Sequence, residues 1–300
     1  MEMTLTTTST RVQLCSSVTS DCSNNDNHHH HTTERNVCLL VPNSDHDLER
    51  VRNLVQEFYQ DHNNIPPSHG WSHVQAVFNH AFHAIGCLDP PLSPQLAMEI
   101  QVAALLDDVD DHKYFPSHKD YENARRLLER ANISSDSIQS ILYMISFVSC
   151  TDNGNSIPPD LNGRFFLLIP RWADRLEAVG SVGVVRCYQY NQENHFPLSS
   201  CHSPRPQSVQ ELWELVTPER FILYQQSGGA SKDMISHYYD KLLHIARPPK
   251  EIVCNPYLER MAEESSQALI EVCLRFGKTG QVDEEYIQQQ LAKDLVGQSV

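Results

Sequence analysis

Two histidines and a run of acidic residues are the side chains of this sequence best suited to hold a cation. His69 and His73 are four residues apart, so on a helix they lie one turn apart on the same face. Four carboxylates then fall within five positions, at Asp107, Asp108, Asp110 and Asp111. Like charges this close repel one another unless water or a cation neutralises them, and hard oxygen ligands favour magnesium, manganese or calcium. The run is therefore either a metal site or an exposed acidic helix end.

A third chemical feature is the segment WADRLEAVGSVGVVR, residues 172–186. It places Asp174, Arg175 and Glu177 on a helix that otherwise consists of residues typical of a protein interior. An ionised group in such a helix needs a partner or a metal. The alternative is that Asp174 and Arg175 belong to ordinary surface ion pairs.

The elements that must position these side chains are predicted to be helices. Apolar residues recur at three- and four-residue spacing, and Pro94 begins a helix whose end delivers Asp107 and Asp108. The predicted helices cover about 48–58, 74–85, 94–106, 121–130, 135–148, 163–190, 209–226, 231–247, 255–276 and 283–296. No alternating apolar pattern indicates a strand, so the expected fold class is all-α, with a single domain over 45–298.

Two segments do not follow this helical pattern. Residues 1–44 are polar and of low complexity and include the run His28–His31, so we expect a disordered tail. Residues 191–208 contain three prolines and no apolar period, which predicts an inserted surface loop.

The composition excludes several classes of protein. The formal net charge of −15 opposes binding to a nucleic acid polymer, which requires a basic face. The longest apolar runs are far shorter than the roughly 20 residues of a membrane helix, so we expect no membrane span. No secretory or organellar signal is visible, and the nine cysteines are scattered without a CxxC pair. We therefore expect a soluble protein of the reducing cytoplasm.

The order of the motifs resembles the HD-domain metal-dependent phosphohydrolase superfamily, in which the metal ligands follow the order His, His-Asp, Asp. The similarity is greater to its small nucleotide-hydrolase subgroup and spans roughly residues 47–275. The matching positions are His69 and His73, Asp111 and Lys113, Ala173 to Gly180, and His237 with Lys241, Leu242 and Leu243. The resemblance implies an HD-domain helical bundle.

One position departs from that superfamily pattern, because Asp107 stands where the family has the histidine of its His-Asp pair. The resemblance implies that His73, Asp108 and Asp174 hold one divalent cation, with Asp107 as a fourth ligand. Three carboxylates against one imidazole favour manganese or magnesium over zinc or iron. A mononuclear site is expected, since no histidine between His118 and His195 supplies the further ligands of dinuclear relatives.

The resemblance also implies roles for the neighbouring polar residues. Asp111 is the candidate general base, and Lys113 and Arg175 would neutralise charge on the phosphoryl oxygens. The candidates for substrate contact are His69, Lys113, Arg175 and His237. For the two histidines, structural hydrogen bonding is the alternative.

The predicted function is that of a metal-dependent phosphohydrolase that acts on a small phosphorylated metabolite, with a nucleotide as the expected substrate, through attack of activated water on phosphorus. The alternative is a catalytically impaired HD-fold module that binds nucleotide or regulates a partner. This alternative is considered because Asp107 replaces the histidine of the His-Asp pair. The identity of the substrate and the choice between monomer and homo-oligomer stay open at the level of sequence.

Overall fold

The computed structural model describes residues 44–62, 64–66 and 69–297, and for 291–297 it describes the backbone alone. The predicted disorder of residues 1–44 concerns a segment that, apart from Ser44, lies outside the described residues. Within the described ranges all regular structure is helical and no strand occurs, which confirms the all-α prediction. None of the described helices is both long enough and apolar enough to cross a membrane.

The helices of the first half of the chain surround a central one. They are α1 (Ser44–Asp61), α2 (Trp71–Gly86), α3 (Pro94–Leu106), α4 (Glu122–Arg130), α5 (Ser135–Ile145), α6 (Cys150–Asn153), a 3₁₀ turn (Phe165–Leu168) and α7 (Ile169–Val179). Helix α3 is buried almost all round, and it packs against α1, α2, α5 and α7. Ser93 caps its start by accepting a hydrogen bond from the Leu96 N–H, with Pro94 in the first turn. Because α3 runs through the core, its last turn points the following aspartates into the interior.

The second half of the chain builds a second apolar cluster. Its helices are α8 (Ser181–Glu193), α9 (Val209–Leu215), α10 (Pro218–Gln226), α11 (Met234–His237), a π-helical turn (Tyr238–Leu242), α12 (Leu243–Ala246), α13 (Lys250–Val253), α14 (Pro256–Thr279) and α15 (Glu284–Gly297). Helix α14 contributes Leu258 to the first cluster and Phe276 to the second. This long helix therefore ties the two halves together.

Two helices predicted as continuous are each broken in two. The segment 163–190 divides at Gly180, whose backbone is extended with φ −80° and ψ −167°. Immediately beyond the break, a Cβ on Gly183 would lie only 2.1 Å from the Ala178 carbonyl oxygen, so α8 can begin this close to α7 only with glycine there. The segment 209–226 breaks at Thr217, which is extended because it precedes Pro218.

The segment predicted as a surface loop, 191–208, has one helical part, because α8 continues to Glu193. From there to Val209 the chain has no helix, but it is held in place by main-chain contacts. The carbonyls of Pro197 and Leu198 accept hydrogen bonds from the N–H groups of Met234 and Ile235. The loop thus packs against the start of α11.

Candidate metal centre

Three candidate ligands from three different helical segments meet at one point. His73 lies in the first turn of α2, Asp108 directly follows α3, and Asp174 lies on α7. The Nε2 atom of His73 lies 3.3 Å from Asp108 Oδ2 and 3.6 Å from Asp174 Oδ1. One ligand atom from each residue lies within 4.8 Å of the others, which is a spacing that a single cation can span. The structure thus brings together the three residues that the sequence placed first among the metal ligands.

The charges at this point are arranged around a buried imidazole. His73 is only 6% exposed. Burial lowers its pKa, but the adjacent carboxylates of Asp108 and Asp174 outweigh burial and raise the pKa of His73 to about 10. The imidazole in turn holds the pKa of Asp108 well below its usual range, although burial opposes this. Without a metal, positive charge on His73 therefore balances part of the carboxylate charge.

The carboxylate of Asp107 is buried beside this group. Both of its carboxylate oxygens lack a partner among the described residues, as does His73 Nε2 by hydrogen-bond geometry. Burial raises the pKa of Asp107, and the nearby carboxylates of Asp108 and Asp174 raise it further. No oxygen of Asp107 belongs to the group of ligand atoms from His73, Asp108 and Asp174 that lie within 4.8 Å of one another. Orphaned buried oxygens next to one imidazole and two further carboxylates fit a hard divalent cation.

The rest of the acidic run has separate partners. The carboxylate of Asp110 accepts the N–H groups of Asn123 and Ala124, both at 2.9 Å, and so caps the start of α4. Asp111 accepts a hydrogen bond from the Lys113 N–H at 2.9 Å and pairs with Lys113 Nζ at 3.3 Å. The four carboxylates that looked like one cluster in the sequence therefore have different tasks.

A second group of ligand atoms adjoins the first. His69, Asp108 and Asp111 each offer an atom within 4.8 Å of the other two, so Asp108 belongs to both groups. Burial lowers the pKa of His69 to about 3, and the next largest cause is the positive charge of Arg186. His69 is therefore neutral at physiological pH. This arrangement places His69, Asp111 and Lys113, all predicted site residues, next to the candidate metal centre.

The prediction that Arg175 contacts substrate needs correction. Arg175 is 2% exposed, and its guanidinium donates to Asn155 Oδ1 at 2.7 Å and to the Gly154 carbonyl. It also lies over the Trp172 ring, with Cζ 4.8 Å from the centroid. On a helix, a residue next to one that faces the site points about 100° away. Asp174 takes the site face, so Arg175 is turned into the core and holds the loop after α6.

His237 lies at the end of α11, and its described contacts are with other residues of the second half. Its Nδ1 is 3.4 Å from Ser231 Oγ, and its ring lies 5.5 Å from that of Tyr224. Burial, and then Lys241, lower its pKa to about 3. The predicted substrate contact of His237 stays a prediction.

Sequence reasoning missed Arg186 on α8. Its Nη1 atom lies 3.5 Å from His73 Nδ1, so a guanidinium stands directly behind the buried imidazole. The available signal was one arginine directly after the apolar run Val182–Val185, twelve residues beyond Asp174. A cation that directly follows such a buried stretch has to face a site or a partner.

An open cavity of about 990 Å³ lies elsewhere, lined by residues that include Tyr121, Arg125, Tyr143 and Arg164. None of the candidate cation ligands lines it. The cavity is therefore separate from the candidate metal centre.

Comparisons with known proteins identify a related sequence and solved structures of similar fold. Uncharacterized protein L803 of Acanthamoeba polyphaga mimivirus is 36% identical over 245 residues, which cover 77% of this chain and 96% of the relative. A solved HD-superfamily hydrolase from Bacillus thuringiensis superposes with a TM-score of 0.52 at 17% identity, covering 78% of this chain and 97% of that one. A solved protein from Lactobacillus plantarum gives a TM-score of 0.52 at 18% identity, covering 77% and 94%. No protein-family model matches the chain.

Proposed function

This chain belongs to the family of mimivirus protein L803 and has the HD-domain fold, and we propose that it is a metal-dependent phosphohydrolase. The observation that carries the proposal is the convergence of His73, Asp108 and Asp174 from three helical segments, with ligand atoms within 4.8 Å of one another. Beside them, the His73 Nε2 atom and both Asp107 oxygens are buried without a hydrogen bond of normal geometry. A catalytically inert core would be expected to satisfy such buried polar atoms.

The ligand set supports manganese or magnesium rather than zinc or iron. His73, Asp108 and Asp174 would hold the cation, with Asp107 moving in as a fourth ligand, so that oxygen donors outnumber the single imidazole nitrogen. When bound, such a cation polarises a phosphoryl oxygen and lowers the pKa of coordinated water.

The remaining side chains of the site have roles that suit hydrolysis of a phosphate ester or anhydride. Asp111 has a carboxylate near His69 and Asp108 and can accept a proton from water. Lys113 is mostly exposed, pairs with Asp111 at 3.3 Å and can meet an incoming phosphate.

A nucleotide is the substrate that we propose, by resemblance to the nucleotide-hydrolase subgroup and because aromatic rings adjoin the site. The Tyr114 ring lies 5.6 Å from that of His69. Burial raises the pKa of Tyr114 to about 12, and the nearby groups that also contribute include Tyr190, whose side chain is 58% exposed. Two rings near a phosphate-binding site can stack on a planar base.

The test is release of phosphate and pyrophosphate from a panel of nucleoside mono-, di- and triphosphates with manganese, magnesium, cobalt or no metal. We expect release that requires both a metal and an intact Asp174, so that Asp174→Ala abolishes it. Asp136→Ala, at an exposed position in the first turn of α5, is the matched control and should retain full activity.

The second candidate function is a nucleotide-binding module without catalysis. It is favoured by one observation, the position of Asp107 outside the closely spaced ligand group. If no substrate is turned over with any metal while nucleotides still raise the melting temperature, the hydrolase proposal is wrong and this module takes its place.

A further inference from the structure

Arg186 is a half-buried cation to which the described part of the chain supplies no acidic partner. Among the described residues, no carboxylate lies within ion-pair distance of its guanidinium, although the chain carries 38 acidic side chains. A guanidinium that has lost part of its water and has no carboxylate partner is unfavourable on its own, so an anion is the expected occupant of the space beside it.

The described polar contact of Arg186 cannot satisfy its guanidinium. An arginine only donates hydrogen bonds, and its described contact is His73 Nδ1 at 3.5 Å. When His73 Nε2 binds a cation, the ring proton sits on Nδ1, and in the doubly protonated imidazole Nδ1 carries a proton as well. In both states Nδ1 is a donor that faces another donor, so Arg186 has to find its acceptor elsewhere.

The surroundings of Arg186 indicate where that acceptor would lie. Its Nη1 atom lies 3.5 Å from His73 Nδ1, and the His69 ring lies 6.0 Å from that of His73 and 5.6 Å from that of Tyr114. These residues border the proposed metal centre, where His69 also adjoins Asp111. A tetrahedral oxyanion there would meet donors from Arg186 and stay within reach of a cation held by His73.

We propose that Arg186 binds a phosphoryl group of the substrate together with the cation at His73, Asp108 and Asp174. The inference rests on the proposed function, because it assigns a further substrate-binding residue to the same site. Since one phosphate would contact both the cation and the guanidinium, the binding of phosphate and the binding of metal are coupled, and each strengthens the other by the same factor.

The test uses the full-length protein, with inorganic phosphate as the probe and manganese affinity as the readout. Calorimetric titrations with Mn²⁺, with and without phosphate, are compared for wild type, Arg186→Gln, Arg186→Lys and the control Arg260→Gln. Arg260 is exposed on α14 and pairs with Glu264, so its removal leaves the site untouched. Circular dichroism checks that each variant is folded.

In wild type and in Arg260→Gln we expect phosphate to tighten Mn²⁺ binding at least about tenfold, the factor for a charge-assisted hydrogen bond. Arg186→Gln should reduce the factor to about threefold or less, and it should bind Mn²⁺ alone at least as tightly as wild type, because it removes a positive charge beside the cation. Arg186→Lys should keep part of the coupling, because it retains charge without the planar fork.

Two results would contradict the inference and are distinguishable. An equal coupling factor in wild type and Arg186→Gln, with Mn²⁺ bound in both, would overturn the role of Arg186 and leave the hydrolase proposal standing. A wild-type protein that binds no divalent cation would overturn the proposed function, and the inference with it.

Discussion

The carboxylate of Asp107 is held where water does not reach it, and neither oxygen accepts a hydrogen bond of normal geometry from the described residues, although its own main-chain N–H lies nearby. Three residues further along, Asp110 is nearly as inaccessible but accepts two main-chain N–H groups and faces His118 at 3.3 Å. Two aspartates three positions apart thus differ in whether the fold supports their charge. An unsupported buried carboxylate costs stability, and such costs persist where a residue has a functional task.

Replacement of Asp107 by leucine should therefore stabilise the metal-free protein. Removing a buried polar group that has no partner recovers about 1–3 kcal/mol of unfolding free energy. Asp110→Leu, the matched control, should instead destabilise by about 0.5–2 kcal/mol, since it removes the cap of α4. Urea denaturation in the presence of a chelator measures both changes. Equal destabilisation by the two substitutions would show that Asp107 is supported after all.

At individual positions, the type and order of the residues were enough to predict which ligands meet. They were not enough to predict the direction in which a given side chain points. His73, Asp108 and Asp174 meet as expected, because each stands at a helix end or on a face next to the core. Arg175 was misassigned and Arg186 was missed for the same reason. Adjacent helical residues point in different directions, and the face that meets the site depends on how α7 and α8 pack.

At the level of elements, the turn between α7 and α8 decides where Arg186 lies. Gly183→Ala should destabilise the protein by about 1–3 kcal/mol, since the new methyl would lie 2.1 Å from the Ala178 carbonyl oxygen and force α8 away. Gly86→Ala is the matched control, because a Cβ there meets no atom within 4 Å, and it should be neutral or slightly stabilising. Thermal denaturation compares the two. A neutral Gly183→Ala would mean that the approach of the two helices is not tight.

Helix α11 provides a prediction about pH. The pKa of His237 is lowered to about 3, by burial first and Lys241 second, against about 6.5 in an unfolded chain. The unfolded state therefore binds a proton that the folded state refuses, so the contribution of His237 to stability is complete above pH 6.5 and is lost as the pH falls toward 3.

His237→Gln should flatten that dependence. The slope of unfolding free energy against pH between about 6 and 4 should fall by at most about 1.4 kcal/mol per pH unit, the value for one proton, and should be unchanged at pH 8. Urea denaturation of both proteins at a series of pH values measures the slopes. A difference between them that stays constant with pH would show that His237 is not held neutral.

For the whole molecule, apolar periodicity was enough to predict most helices, because nearly every helix buries one face against a neighbour. The predictions failed where tertiary packing overrides local pattern. The breaks at Gly180 and Thr217 depend on the approach of α8 to α7 and on the conformation before Pro218. The four-residue helices α6 and α13 are too short to show a period.

A divalent cation should stabilise the whole fold, since its ligands come from α2, α7 and the end of α3, and the chain carries a net charge of −15. Above the dissociation constant, each tenfold rise in Mn²⁺ should add about 1.4 kcal/mol to the unfolding free energy, because the cation binds the native state and not the dispersed ligands of the unfolded chain.

Asp174→Asn should abolish the effect, whereas Asp136→Asn, on the exposed first turn of α5, should leave it intact. Melting curves at constant ionic strength separate this specific binding from screening of the net charge. Equal shifts in the two variants would place the stabilising cation on the acidic surface, and a larger shift with zinc than with manganese would contradict the preference for oxygen ligands.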